Sequence, residues 1–239
     1  MIPSASSVSS VVKQAKALTT EDTEDAEEYE VPVKAMITLP RLYPIVDAAC
    51  FADAEALISY SQELAAAGCT ILQYRNKTSS AREILDQARA LKQRLPASVK
   101  LVMNDRADLC LAAGFDGVHI GQDDLQPESV RRIIGRDLWM GVSTHNAEQL
   151  QEADRTSADY IADGPVFATS SKDRPDPIVG LEGVRRARQL TRKPLVAIGG
   201  ITRQNCGAVI GAGADCVAVI SGLLREPRKS AEEFLLVMR

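Results

Sequence analysis

The sequence predicts one α/β domain, a single (β/α)8 TIM barrel over residues 37–239, preceded by a flexible N-terminal extension over residues 1–36. Three observations predict it. From Arg41 onward, short β-branched or apolar runs alternate with amphipathic runs. Strict alternation means parallel strands, because parallel neighbours need a crossover between them. Eight such units in roughly 200 residues fit a compact closed barrel. The first strand ends in Val46-Asp47-Ala48-Ala49, without the Gly-rich turn that opens a doubly wound nucleotide-binding sheet.

The elements follow in order. Strands are expected at Leu42–Val46, Thr70–Arg75, Lys100–Asn104, Gly117–Ile120, Leu138–Ser143, Tyr160–Phe167, Leu195–Gly199 and Cys216–Ile220. Helical patterns lie between and after them, at Ala54–Ala67, Ala81–Leu95, Ala107–Ala113, Pro127–Ile134, Ala147–Arg155, Leu181–Leu190, Arg203–Gly211 and Ala231–Met238. Asp53 stands where a cap for the first helix belongs. Ser80 with Glu83, and Asn146 with Gln149, have the spacing of capping boxes.

Composition narrows the function. The net charge of −4 resides in residues 1–36, where seven acids between Glu21 and Glu30 outnumber three lysines, so the remainder is neutral. A Ser-rich, self-repelling stretch of this kind reads as a disordered or loosely attached tail. An even charge balance and 4% aromatic residues argue against a nucleic-acid surface. No apolar run approaches the ~20 residues of a membrane span. The five cysteines form no C-x-x-C pair, which fits a reduced, cytoplasmic setting with thiols as packing residues. A homo-oligomer is compatible with the sequence, which does not fix the oligomeric state.

In such barrels the active site is built from the loops after the strands, and polar residues collect there. Gln73, Arg75 and Lys77 alternate along the end of strand two and would share one face. Two adjacent cations there suit an anion, and a solvated loop edge is the plainer alternative. Asn104-Asp105 and Gln122-Asp123-Asp124 follow strands three and four. Each is placed to cap a helix. Taken together beside an anion site, their carboxylates suit Mg²⁺. Ser143 ends strand five. Thr169-Ser170-Ser171-Lys172 forms a hydroxyl-rich loop after strand six, suited to a phosphate or to a lid. Gly199-Gly200 and Ile220-Ser221-Gly222 end strands seven and eight, where barrels often hold phosphate on backbone N–H groups. His119 is expected in the core and His145 in a loop, and no hydrolytic triad is readable.

These motifs, in this order, resemble thiamine-phosphate synthases across essentially all of residues 41–237. The resemblance rests on Gln73-Tyr74-Arg75-Asn76-Lys77, Asn104-Asp105, Gly117 through Asp124, Gly141-Val142-Ser143, Gly164-Pro165-Val166-Phe167 with the loop to Lys172, Ile198 through Ile201, and Gly213 through Ser221. It implies that a hydroxymethylpyrimidine diphosphate condenses with a thiazole phosphate, plain or carboxylated, and that pyrophosphate leaves. It implies that Gln73, Tyr74, Arg75, Asn76, Lys77, Asn104, Ser143 and Lys172 bind the pyrimidine diphosphate, with Arg75, Lys77, Ser143 and Lys172 as the catalytic set. Asp105 and Asp124 would ligate Mg²⁺. Thr169, Ser170, Ser171, Gly200, Ile220 and Ser221 would hold the thiazole phosphate.

The chain departs from the family pattern in three places. Ala168 replaces Pro, Ser171 replaces Thr, and Asp163 replaces an apolar or glycine residue, which would weaken diphosphate binding if it pointed inward. The related thiazole tautomerases are a weaker match, since they lack the full cation set and usually carry His where Pro165 stands. A non-catalytic ligand-binding barrel is a third reading, opposed by the intact Arg75, Lys77, Asp105, Asp124 and Lys172.

Overall fold

Eight parallel strands pair in chain order, and the last closes onto the first. They are β1 Leu42–Asp47, β2 Ile71–Arg75, β3 Lys100–Asn104, β4 Gly117–Ile120, β5 Trp139–Thr144, β6 Tyr160–Asp163, β7 Leu195–Ile198 and β8 Cys216–Val219. The helices are α1 Ala54–Ala66, α2 Ala81–Arg94, α3 Ala107–Ala113, α4 Pro127–Ile134, α5 Ala147–Asp154, α6 Gly180–Leu190, α7 Cys206–Gly211 and α8 Pro227–Val237. The structure, a computed structural model, describes residues 36–169 and 177–239. Among these residues no helix is long and apolar enough to cross a membrane.

Side-chain alternation splits the core into two layers. Tyr43 and Ile45 of β1, Ile71 of β2, Val102 of β3, Tyr160 and Ala162 of β6 and Val196 of β7 fill the barrel interior. Their neighbours on the same strands, such as Leu42, Leu72, Leu101 and Val118, face outward and pack with Leu57, Ile84 and Leu91 of the helices. On β1 to β5 the inward positions nearest the carboxyl ends are polar: Asp47, Gln73, Arg75, Asn104, His119 and Ser143 continue the interior parity. The same alternation that builds the core therefore aims these groups at the mouth.

A repeated device secures the opposite end. Asp116, Asp159 and Asp215 each stand one residue before an even-numbered strand. Each accepts a backbone N–H from the preceding odd-numbered strand: Leu101 at 2.9 Å, Met140 at 2.8 Å and Leu195 at 2.8 Å. Each also pairs with a cation from the preceding even-numbered helix: Lys92 at 3.0 Å, Arg131 at 2.8 Å and Arg188 at 2.7 Å. One carboxylate thus ties two strands and a helix together.

Some element ends differ from expectation. β6 stops at Asp163, four residues short, because Pro165 has no N–H to offer a ladder. Val166 and Phe167 still donate to the carbonyls of Ile198 and Gly199, so the chain follows β7 past the end of the strand. α8 starts at Pro227, whose fixed φ suits a first helical position. The Ser80–Glu83 capping box is complete, and Asp53 caps α1. The second box is only half formed. Asn146 accepts from the Gln149 N–H, but the Gln149 side chain accepts from His145 N instead.

Candidate active site

The mouth is organised by charge. Asp47 at the end of β1 is in register with Arg75 at the end of β2, and the two form an ion pair. The other Asp47 oxygen accepts from Ala49 N at 3.1 Å, so the carboxylate is held from both sides. Lys77, half exposed on the following loop, pairs with Asp105 at 3.0 Å. Asp105 faces Asp124 across the gap between the β3 and β4 loops. Burial pushes the Asp124 carboxyl above its ordinary range, Asp105 adds to the rise, and the Gly121 N–H and Lys77 oppose it. Asp105 adopts a left-handed backbone (φ 62°), rare for a non-glycine residue and common at functional sites.

The capping alternative for these acids does not hold. α3 is preceded by Arg106 and α4 by Gln126, and neither start has a side-chain cap. Asp124 instead accepts from Gly121 N at 2.7 Å within its own turn. Two facing carboxylates with oxygen-only chemistry have the donor set that suits a Mg²⁺ ion completing its shell with water.

Two expected contact residues lie elsewhere. Tyr74 is buried on the outer side of β2, donates to Gln87 of α2, and has its phenol pushed up to about 12 by burial. Asn76 donates to Tyr74, Ser79 and Gln87, while its carbonyl accepts from Thr78 N and Ser79 N. Strand alternation turns both side chains away from the mouth, where they shape the Lys77 loop.

Asp163 also points outward. It pairs in register with Thr144, whose hydroxyl donates to it at 3.0 Å in the layer beneath the helices, and burial raises its carboxyl above the ordinary range. Its charge is therefore not aimed into the mouth. His145 sits nearby, with Nδ1 2.6 Å from the Gly164 carbonyl.

Of the expected thiazole-phosphate residues, Thr169, Gly200, Ile220 and Ser221 are described, and they follow the ends of β6, β7 and β8. Gly200 has φ 62°, and a Cβ there would come within 2.4 Å of the Ala168 carbonyl, so only glycine lets the Thr169 loop lie against the end of β7. Val179 and Gly180 return to the Pro165 and Val166 carbonyls and close the base of that loop. Ile220 and Ser221 follow β8 directly. Ser170, Ser171 and Lys172 lie outside the described residues.

Sequence reasoning missed Asp47, although an acid ending strand one beside a cation ending strand two was a readable sign. His119 is the packed, hydrogen-bonded core residue that the sequence predicts. The ring is buried, and burial lowers its pKa to about 4 against the opposing charge of Asp124. Its Nε2 reaches Ser143 Oγ at 2.9 Å.

The sequence profile described as thiamine monophosphate synthase matches residues 42–223. The chain belongs to that family. A thiamine-phosphate synthase from Koribacter versatilis is 59% identical over 205 residues, covering 84% of this chain and 97% of the relative. One from Agrobacterium fabrum is 43% identical, covering 77% and 86%. Among solved structures, a thiamine phosphate pyrophosphorylase from Pyrococcus furiosus aligns with a TM-score of 0.74 and 31% identity, over 83% of this chain and 95% of its own. Membership in the thiamine monophosphate synthase family makes the chain a transferase of thiamine biosynthesis.

Proposed function

We propose that the mouth of the barrel condenses 4-amino-2-methyl-5-hydroxymethylpyrimidine diphosphate with a thiazole phosphate, giving thiamine phosphate and pyrophosphate. The observation that carries this reading is the alternating cluster Asp47–Arg75 and Lys77–Asp105–Asp124, which presents two cations and a pair of facing carboxylates at adjacent strand ends. That arrangement matches a diphosphate with its counter-ion. Asp105 and Asp124 would hold Mg²⁺, which when bound supplies positive charge against the diphosphate oxygens.

Arg75 and Lys77, joined by Lys172, bind the diphosphate and stabilise the charge that grows on it. The carbon–oxygen bond breaks, its electron pair leaves with pyrophosphate, and the aminopyrimidine is left as a stabilised benzylic-type cation. The thiazole nitrogen then donates its lone pair to that carbon. No protein nucleophile is required. The protein's contribution is preorganised charge and the alignment of two bound partners. Gln73, Asn104 and Ser143 orient the pyrimidine, and Thr169, Ser170, Ser171, Gly200, Ile220 and Ser221 hold the thiazole phosphate.

The direct test incubates the full chain with both substrates and Mg²⁺ and follows both products. Thiamine phosphate and pyrophosphate are expected in equal amounts, with turnover lost in excess chelator. Isomerised thiazole alone, or equal turnover in chelator, would overturn the reading.

A further inference from the structure

A chain of hydrogen bonds crosses the barrel interior beneath the mouth. Gln73 Nε2 donates to Tyr43 Oη at 3.1 Å, and Tyr43 Oη lies 3.0 Å from Tyr160 Oη. Tyr160 Oη lies 3.0 Å from His119 Nδ1, and His119 Nε2 lies 2.9 Å from Ser143 Oγ. Five strands contribute one residue each, and both ends are residues of the pyrimidine side of the mouth. Gly141 stands between His119 and Tyr160 in the strand register. A Cβ there would come within 2.1 Å of Tyr160 and 2.4 Å of His119 Nδ1. The missing side chain is what allows the link to form.

Each phenol has a single hydrogen, and both are enclosed, so the direction of one bond fixes the next. With Gln73 donating, the Tyr43 hydrogen goes to Tyr160 and the Tyr160 hydrogen goes to His119 Nδ1. The imidazole then carries its own hydrogen on Nε2 and gives it to Ser143. Any other arrangement with Gln73 as donor leaves a buried hydroxyl hydrogen unused, which is costly. Ser143 accepts from below, which leaves its own hydrogen free to be given toward the mouth.

We infer that Tyr43, Tyr160 and His119 are positioning residues that fix Ser143 as a hydrogen-bond donor to a ring nitrogen of the bound pyrimidine. This rests on the pyrimidine-diphosphate reading given above. It also implies a specificity. An aminopyrimidine presents a bare ring nitrogen beside its amino group, whereas its oxo analogue presents an N–H there and leaves the Ser143 hydrogen without that acceptor.

The test begins without substrate, on the full chain labelled with ¹⁵N-histidine. The chain has two histidines, so a His145→Gln spectrum assigns the other. His119 is expected to carry its hydrogen on Nε2, with Nδ1 bare. Tyr160→Phe should give mixed tautomers. It should also weaken pyrimidine diphosphate binding by about tenfold, the equivalent of one net hydrogen bond, with thiazole phosphate binding unchanged. Tyr43→Phe removes the preceding link and is expected to mix the tautomers too, which covers a Tyr160 variant that fails to fold. A hydrogen on Nδ1 in the wild type, or an unchanged tautomer in both variants, would overturn the inference. A correct tautomer in a protein with no coupling activity would instead refute only the functional reading.

Discussion

Arg75 and Lys77 were legible from the sequence because two cations at one strand end need explaining wherever the strand lies. Their partners were harder to read. Asp47 meets Arg75 only because β1 and β2 are neighbours in this register, and Tyr43 meets Tyr160 only across the closed lumen. The Asp47 pair carries a prediction. A carboxylate held on both oxygens fixes the guanidinium before substrate arrives, so Asp47→Ala should raise KM for the pyrimidine diphosphate by about tenfold, the loss of one charge-assisted bond. Asp47→Asn keeps an acceptor and should lose less. Steady-state kinetics with each substrate varied in turn decides it, and an unchanged KM in both variants would show that Arg75 is placed by other contacts.

Asp163 yields a second residue-scale prediction. Its carboxyl is raised by burial, so the charged form is disfavoured in the folded protein. A group with a raised folded pKa supports stability below its unfolded pKa of about 4 and loses that support as pH rises through the folded value. Asp163→Asn should therefore raise Tm at neutral pH, and the gain should vanish near pH 4. Melting curves across that range measure it. A Tm lowered at neutral pH would mean that the ionised carboxylate is a stabilising partner.

At the scale of elements, alternation of apolar and amphipathic runs located the eight strands and eight α-helices of the described residues. The ends were less readable, because they depend on individual backbone groups. Pro165 cut β6 short, and Gln149 served His145 rather than the start of α5. The Asp116, Asp159 and Asp215 ties escaped notice for the same reason, since each spans two strands and a helix that are distant in sequence. Arg131 and Asp159 are both largely buried, and removing one partner leaves the other charge uncompensated. Asp159→Ala should cost about 3 kcal/mol while kcat stays near wild type, because the tie sits at the end remote from the mouth. Denaturant titration with parallel turnover measurements tests both halves. A loss below about 0.5 kcal/mol, within the range of ordinary surface substitutions, would show the tie to be redundant.

For the molecule as a whole, eight repeated units settled the architecture, because only closure gives every parallel strand two neighbours. Closure then brought the ends of strands distant in sequence to one mouth, so residues noticed singly became one site. The central claim is that this mouth stabilises a departing diphosphate. Single-turnover coupling, measured beside thiazole phosphate binding in wild type and Lys77→Ala, tests it most directly. On that claim Lys77 meets the charge that develops, so its loss should slow coupling by roughly 2–4 kcal/mol, the range of one preorganised charge-stabilising donor, and leave thiazole phosphate affinity intact. Coupling at the wild-type rate in Lys77→Ala, or a wild type that only isomerises the thiazole, would contradict the account.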